Sequence, residues 1–252
     1  MSLQDSTWSL EEVELLELRY FNEIYWNLTN DKDKLVKLLT NKERIRESWE
    51  AVFKQETDQK IKSGLARGAE RVLASLFPDT WLPNSTPIGS DLMYETVDAF
   101  IHIDVKTMVQ THMEKGKVPV GLNQTSYYVD DRVEIRGNLP FCYKLDPDTE
   151  PYSKLCLTYF IKVIHSEANE KYKSGDILQV DLICMPNGML HTHYGNKVIG
   201  AGKSKNDSMR YLYQNQYFEK ITNQPVPIKR AKLVYYNKSF ADDIDEIIEL
   251  MS

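Results

Sequence analysis

At 252 residues the chain can bury one large core, or a core with a helical appendage, and its 42% apolar and 27% charged residues are those of an ordinary globular protein. A net charge of −6 excludes indiscriminate nucleic-acid binding, no apolar run reaches membrane-spanning length, and the first residues lack a basic-then-apolar leader. The three cysteines, Cys142, Cys156 and Cys184, are widely spaced with no CxxC pair, so they read as buried or free thiols of a reducing, cytoplasmic compartment.

In chain order, Ser9-Leu-Glu-Glu12 has the form of a capping box. Leu10, Val13, Leu16, Leu18, Tyr20, Phe21, Ile24 and Tyr25 then recur with a helical period. A polar break over 27–33 precedes a second helix carrying Leu35, Val36, Leu38 and Leu39, and Ile45, Trp49, Val52 and Phe53 suggest a third. Residues 1–55 are thus a helical region, either a layer or a dimerisation bundle, with Trp8, Trp26 and Trp49 as core or interface residues rather than a base-stacking platform. A further helix is expected over 57–77, with Ile61, Leu65, Ala69, Val72, Leu73, Leu76 and Phe77 as its stripe. Gly64 and Gly68 lie one turn apart for close approach to a sheet, and Pro78 ends the helix. Glu70 lies beside that stripe, where a solvated helix carboxylate is the ordinary reading.

The segment from Pro87 to Thr107 reads as a β-hairpin, with arms Asp91 to Glu95 and Ala99 to Lys106 and Val97-Asp98 as the turn. Phe100, Ile101, Ile103 and Val105 are strand formers. The turn pairs Thr96 with Ala99, and the same register sets Asp91 opposite Asp104, on one face of the hairpin. Lys106, two residues on, shares that face, as does His102, whose default reading is a satisfied core histidine. Two close carboxylates repel as anions unless a cation sits between them. With the Val105 carbonyl they form a hard-oxygen set suited to Mg²⁺, which takes few protein ligands and keeps several waters. Such a metal orients and acidifies a water and neutralises phosphate charge, while Lys106 can stabilise the transition state or assist deprotonation. That outlines phosphodiester hydrolysis. Asp-x-Lys by itself is a weak signal, usually a solvated strand end; the apolar strand before it and the register-matched second Asp strengthen it here.

Beyond the hairpin, 107–117 reads as a polar loop. Asn123, Gln124, Thr125 and Ser126 cluster donors and acceptors able to read bases and hold phosphates, or to cap a following helix. Leu155 to Ile164 and Asp176 to Cys184 are buried strands, and Met189 to Ile199 returns after the Pro186-Asn-Gly188 turn. His191 and His193 share a strand face but have no further ligand nearby in sequence, which disfavours zinc. Lys203 and Lys205 lie in a small-residue loop fit to contact phosphate, with Arg210 as a further DNA-binding candidate; the Walker spacing fails. Ser208 to Phe218 is helix-like, Ile228 to Tyr236 a basic strand, and 242–251 an acidic amphipathic helix. From Lys197 to Lys238 nine Lys or Arg face two acids, a net +7 in an otherwise acidic chain, which fits either a local polyanion surface or a solvated basic face.

Pro87, Asp91 and Asp104-Val105-Lys106 resemble the PD-(D/E)xK nuclease motif, and Ile101 to Thr107 is similar to the catalytic strand of type II restriction endonucleases. The Pro and first Asp are separated by Ile88-Gly-Ser90, a departure from the ideal spacing. The resemblance covers about a fifth of the chain. It implies an α/β fold, a restriction-endonuclease-like core with a mixed central sheet flanked by helices, and a single endonuclease domain over 1–252, with 56–252 as catalytic core and DNA-binding elements. It also implies Mg²⁺-dependent cleavage of double-stranded DNA at a specific sequence, with Asp91 and Asp104 as metal ligands and Lys106 as the catalytic lysine. Glu70 would be the helper acid on the preceding helix, and a palindromic target would imply a homodimer. Two other readings compete: a structure-specific repair or recombination nuclease, and a non-catalytic DNA-binding module on the same fold.

Overall fold

Helix α1 (Leu10–Thr29) starts where the capping box places it. Ser9 Oγ accepts from Glu12 N–H at 3.2 Å, and Ser9 N–H donates to Glu12 Oε2 at 2.7 Å, so two of the donors orphaned at the helix start are satisfied reciprocally. The computed structural model describes residues 9–40, 64–83, 91–112, 116–120, 128–129, 135–136, 142–144, 153–166, 176–185, 199–200, 209–211, 213 and 228–239. After α1 the polar break is only a short turn, and α2 (Lys32–Thr40) follows at once. Helix α3 (Gly64–Ala74) ends short of the expected residue 77. Ser75 and Leu76 N–H turn to the carbonyls three residues back, and Pro78 then bars its predecessor from helical backbone. The expected third N-terminal helix, the return strand and the C-terminal helix lie outside the described residues.

Twelve strands are described: β1 (Leu82–Pro83), β2 (Leu92–Glu95), β3 (Ala99–Val109), β4 (Val118–Val120), β5 (Tyr128–Val129), β6 (Ile135–Arg136), β7 (Cys142–Lys144), β8 (Ser153–His165), β9 (Ile177–Met185), β10 (Ile199–Gly200), β11 (Met209–Tyr211) and β12 (Ala231–Tyr236). The main sheet has the order β1-β2-β3-β8-β9-β12, with β7 also on β8. Its centre is the parallel pair β3 and β8, in register from Ala99↔Leu155 to Val109↔His165; the other pairings are antiparallel. The sheet is therefore mixed, as expected. A second sheet runs β10-β11-β4, and β5 pairs with β6.

Two expectations fail here for physical reasons. Residues 107–109 continue β3 instead of opening a loop, because Thr107 and Val109 ladder against Val163 and His165 of the long β8. Met209–Tyr211 is a strand where Ser208 to Phe218 looked helical; β-favouring Tyr211 sits opposite the fully buried Val118.

Strand alternation sorts the sheet into two faces. Ile101, Ile103 and Val105 of β3, Leu157, Tyr159, Ile161 and Val163 of β8, and Val180, Leu182 and Cys184 of β9 join one apolar core with all three helices. Phe21 stacks on Tyr159 with centroids 6.4 Å apart, and the Tyr159 hydroxyl donates to the Glu17 carbonyl at 2.9 Å. Burying such side chains stabilises by about 1.5–3 kcal/mol each. Among the described residues Trp81, in the cluster with Phe77 and Tyr94, is the buried tryptophan. Trp26 is 68% exposed and is not a core residue: it lies on α1's outer surface, away from the sheet.

Two of the nine basic residues of the C-terminal segment are committed to α1, Arg230 buried and Lys232 half-buried. Arg230 is 2% exposed and reaches Glu17 at 2.5 Å and Glu14 at 3.6 Å on α1. Lys232 donates to Asn22 Oδ1 at 2.5 Å and lies 4.9 Å over the Phe21 and Tyr25 rings. The net +7 thus overstates the charge left for a polyanion.

Candidate active site

Val97-Asp98 is a weak turn dipeptide, and tertiary contacts hold the hairpin instead. Thr96 N–H donates to the Ala99 carbonyl at 2.9 Å, and Ala99 N–H donates back to Thr96 Oγ1 at 3.1 Å. Helix α1 clamps the turn from one side: the Tyr20 hydroxyl donates to Asp98 and lies 2.7 Å from Thr96 Oγ1, and Arg19 pairs with Asp98 at 2.6 Å. From the other side Lys154 donates to Glu95 Oε1 at 2.6 Å and to the Thr96 carbonyl at 2.7 Å. The observed pairs, Glu95↔Phe100 through Leu92↔Ile103, carry the expected register. One step further it sets Asp91 opposite Asp104.

That step is where β2 ends, and the ending creates the site. Odd-numbered residues of β3 turn their peptide groups toward β2. Val105, beyond the last β2 pair, donates its N–H to Asp91 Oδ2 at 2.6 Å instead of to a strand carbonyl. Its own carbonyl points to the same edge by the antiparallel pattern. Asp104 is 2% exposed, with Lys106 Nζ 2.6 Å from its Oδ2 and Asp91 at its side. Burial pushes the Asp104 carboxyl up to about 7; the Lys106 charge opposes this, and the neighbouring Asp91 charge adds to it. A buried carboxyl beside a second one gains much from a bound cation, and the chemistry of these oxygens fits a divalent metal. Among the described residues no group of three or more His, Cys, Asp or Glu side chains stands ready for a metal. The oxygens gathered at this edge are those of two carboxylates and a backbone carbonyl.

His102 shares the face with Asp104 and is buried, which lowers it to about 4 and leaves it neutral. Glu70 sits partly exposed on α3, whose Ala69, Val72 and Leu73 pack on the opposite, helix-covered face of β3. The structure therefore does not bring Glu70 into a metal-holding group with the two Asp residues. Asn123, Gln124, Thr125, Ser126, Lys203 and Lys205 lie outside the described residues, as do His191 and His193. Arg210 lies in β11 opposite Pro119 and Gly200. A helix beginning at Asn123 would meet strand β5 at Tyr128.

One group went unnoticed in the sequence. Lys162 of β8 is the ladder partner of Lys106, and Asp181 of β9 is the partner of Lys162, so the three share the Asp104 face. Lys162 and Asp181 are 1% and 0% exposed. The signal was a Lys and an Asp inside strands otherwise apolar enough to be buried on both faces, where charges do not survive without partners.

A mixed sheet whose paired Asp residues and lysine gather at the end of a hairpin is the architecture of the type II restriction endonucleases. The fold matches the crystal structure of the restriction endonuclease BglI bound to its DNA recognition sequence, with a TM-score of 0.56 and 13% identity, over 80% of this chain and 85% of that one. It also matches tetrameric SfiI bound to cognate DNA, with a TM-score of 0.59 and 14% identity, over 82% of this chain and 80% of that one. No curated protein matches the sequence. The family assignment comes from the sequence itself: the N-terminal domain of type II restriction enzyme MwoI matches residues 9–169, and the MwoI central domain matches 177–236. The chain belongs to this MwoI family of type II restriction enzymes, and is a site-specific DNA endonuclease. That sets aside the repair-nuclease and non-catalytic readings. Enzymes of this class generally depend on a divalent metal. Among the described residues no helix is long and apolar enough to cross a membrane.

Proposed function

We propose that this enzyme cuts double-stranded DNA with Mg²⁺ held by Asp91, Asp104 and the Val105 carbonyl, and with Lys106 as the catalytic lysine. The observation that carries the reading is the Asp91–Asp104 pair at the end of β2, with Asp104 raised to about 7 beside Lys106. Bound there, the metal would supply Lewis acidity to the scissile phosphate and its attacking water. Asp91 is oriented by the Val105 N–H and lies in hydrogen-bonding reach of Asp104. Asp104 takes up the ionised form on metal binding. Lys106, whose side chain is 19% exposed beside Asp104, would offset charge on the phosphate oxygens as water attacks phosphorus and an ester oxygen leaves. Glu70 has at most an indirect role, through the packing of α3 against β3. Asn123, Gln124, Thr125, Ser126, Lys203, Lys205 and Arg210 are the DNA-contact candidates. We take 1–252 as one endonuclease domain that works as a homodimer, one site per DNA strand, in the cytoplasm, where the buried thiols of Cys156 and Cys184 stay reduced.

The test incubates the full chain with plasmid and phage DNA in Mg²⁺, in EDTA, and as Asp104→Ala. Discrete fragments that need Mg²⁺ and vanish in the variant are expected. Undiminished cleavage by Asp104→Ala would remove the metal site from this hairpin.

A further inference from the structure

The buried lysine of β8 has no part in the chemistry above, yet it joins the central sheet to the second one. Lys162 Nζ donates to the Tyr213 hydroxyl at 3.1 Å and to the Lys117 carbonyl at 3.4 Å, and lies 5.5 Å over the Tyr213 ring. Lys117 immediately precedes β4, and Tyr213 stands two residues past β11; β4 and β11 are neighbours in the second sheet, with Val118 opposite Tyr211. Both acceptors therefore sit at one end of the second sheet. Gly116, at a φ of 64°, makes the turn that delivers the Lys117 carbonyl, a backbone shape that favours glycine.

From behind, Asp181 opposes Lys162 across the β8–β9 ladder, and Gln179 Nε2 holds both Asp181 oxygens at 2.8 and 2.9 Å. Burial raises the Asp181 carboxyl to about 6 against the pull of the Lys162 charge. Opposite charges buried in neighbouring strands are poor evidence for added stability, since apolar residues of the same volume commonly do as well. What they do supply is direction: an ammonium held at a defined point with its acceptors fixed. On its other side Lys162 ladders with Lys106 of the catalytic strand.

We propose that Lys162, backed by Asp181 and Gln179, is a positioning residue that sets the second sheet, through Tyr213 and the Lys117 carbonyl, against the catalytic strand. The second sheet carries Arg210 in β11, and β4 leads directly into 121–127, the segment holding Asn123 to Ser126. Lys162 thereby aligns β4 and β11, the strand that carries the DNA-contact candidate Arg210, with Asp104 and Lys106. This rests on the reading of the hairpin as the catalytic site, and couples that site to recognition.

The experiment uses the full-length enzyme and the DNA fragment carrying its mapped cut site, together with fragments altered at one base pair. Four variants are compared with wild type: Tyr213→Phe, which removes a single hydroxyl, Lys162→Met, Lys162→Arg and Asp104→Ala. Binding is read by anisotropy in Ca²⁺, and cleavage by single-turnover rates in Mg²⁺. Tyr213→Phe and Lys162→Met are expected to cut the intact site about 10- to 100-fold more slowly with little change in affinity, as residues supporting a metal site do. The ratio of intact-site to altered-site rates narrows, and Lys162→Arg recovers part of both losses. A merely structural lysine would lower the unfolding temperature and leave that ratio alone. If Lys162→Met does not fold, Tyr213→Phe still decides. Wild-type rates and ratio in Tyr213→Phe, with Asp104→Ala inactive, overturn the coupling and leave the catalytic reading standing. Full activity in Asp104→Ala overturns both.

Discussion

Asp104→Asn in metal-free enzyme measures how much stability the buried Asp104 carboxyl costs. The wild-type carboxyl titrates near 3.8 when unfolded and at about 7 when folded. A raised acid pKa opposes folding above the unfolded value: between about pH 4 and 7 the unfolded chain releases the proton and the folded one keeps it, so stability falls as pH rises. At pH 8 the cost is complete, about 4 kcal/mol from the difference between the two values, and about half that after relaxation of the site. Asn keeps the shape without the charge. In EDTA, urea unfolding at pH 8 is expected to show Asp104→Asn more stable than wild type by about 2–4 kcal/mol, and the gap should shrink through pH 5 and close near pH 4. Part of the gain is offset because Lys106 loses its 2.6 Å partner, but that ammonium is 19% exposed and can rehydrate. Adding Mg²⁺ should raise the wild-type unfolding temperature more than that of the variant, since a ligand stabilises only the state that binds it. A variant equal to or less stable than wild type at pH 8, with a gap that ignores pH, would refute the reasoning: Asp104 would then not be the strained acid of this fold.

Three other perturbations separate structure from chemistry. Arg230→Met strands Glu14 and Glu17 in the core between α1 and the sheet and should cost about 3–5 kcal/mol in urea unfolding, and adding Glu17→Gln should recover part of it. Tyr20→Phe removes the hydroxyl shared by Asp98 and Thr96 and should cost about 1–2 kcal/mol, with cleavage slowed only in proportion to any loosening of the hairpin, read by amide exchange at Thr96 and Ala99. Trp26→Ala, at a site 68% exposed, should change the stability of the chain by no more than about 0.5 kcal/mol in urea unfolding.

What could be read from residues alone followed from how locally each feature is specified. The Asp91–Asp104 opposition needed only a turn position and a count along two arms, because strand side chains alternate with a period of two and a register once set carries through. The reason the turn lies at Val97-Asp98 was not local. It comes from Tyr20, Arg19 and Lys154, each more than 50 positions away along the chain. The capping box was legible for the same reason as the register, being complete within four residues.

The failures have the opposite character. Lys162 and Asp181 were passed over because an apolar run reads as a buried strand whatever single charge it contains, and the partner that makes such a charge tolerable is chosen by strand order. That order places β8 between β3 and β9 and so brings residues 106, 162 and 181 into one row. Arg230 and Lys232 misled in the same way: counted as surface charge, they are committed to α1. A charge count along the sequence is thus an upper bound on what a polyanion meets, and the bound is loosest in strands that face a helix. The same argument favours the buried row over the basic segment as the place to look for function. A surface lysine is explained by water alone, whereas a lysine 1% exposed has to be explained by what it holds.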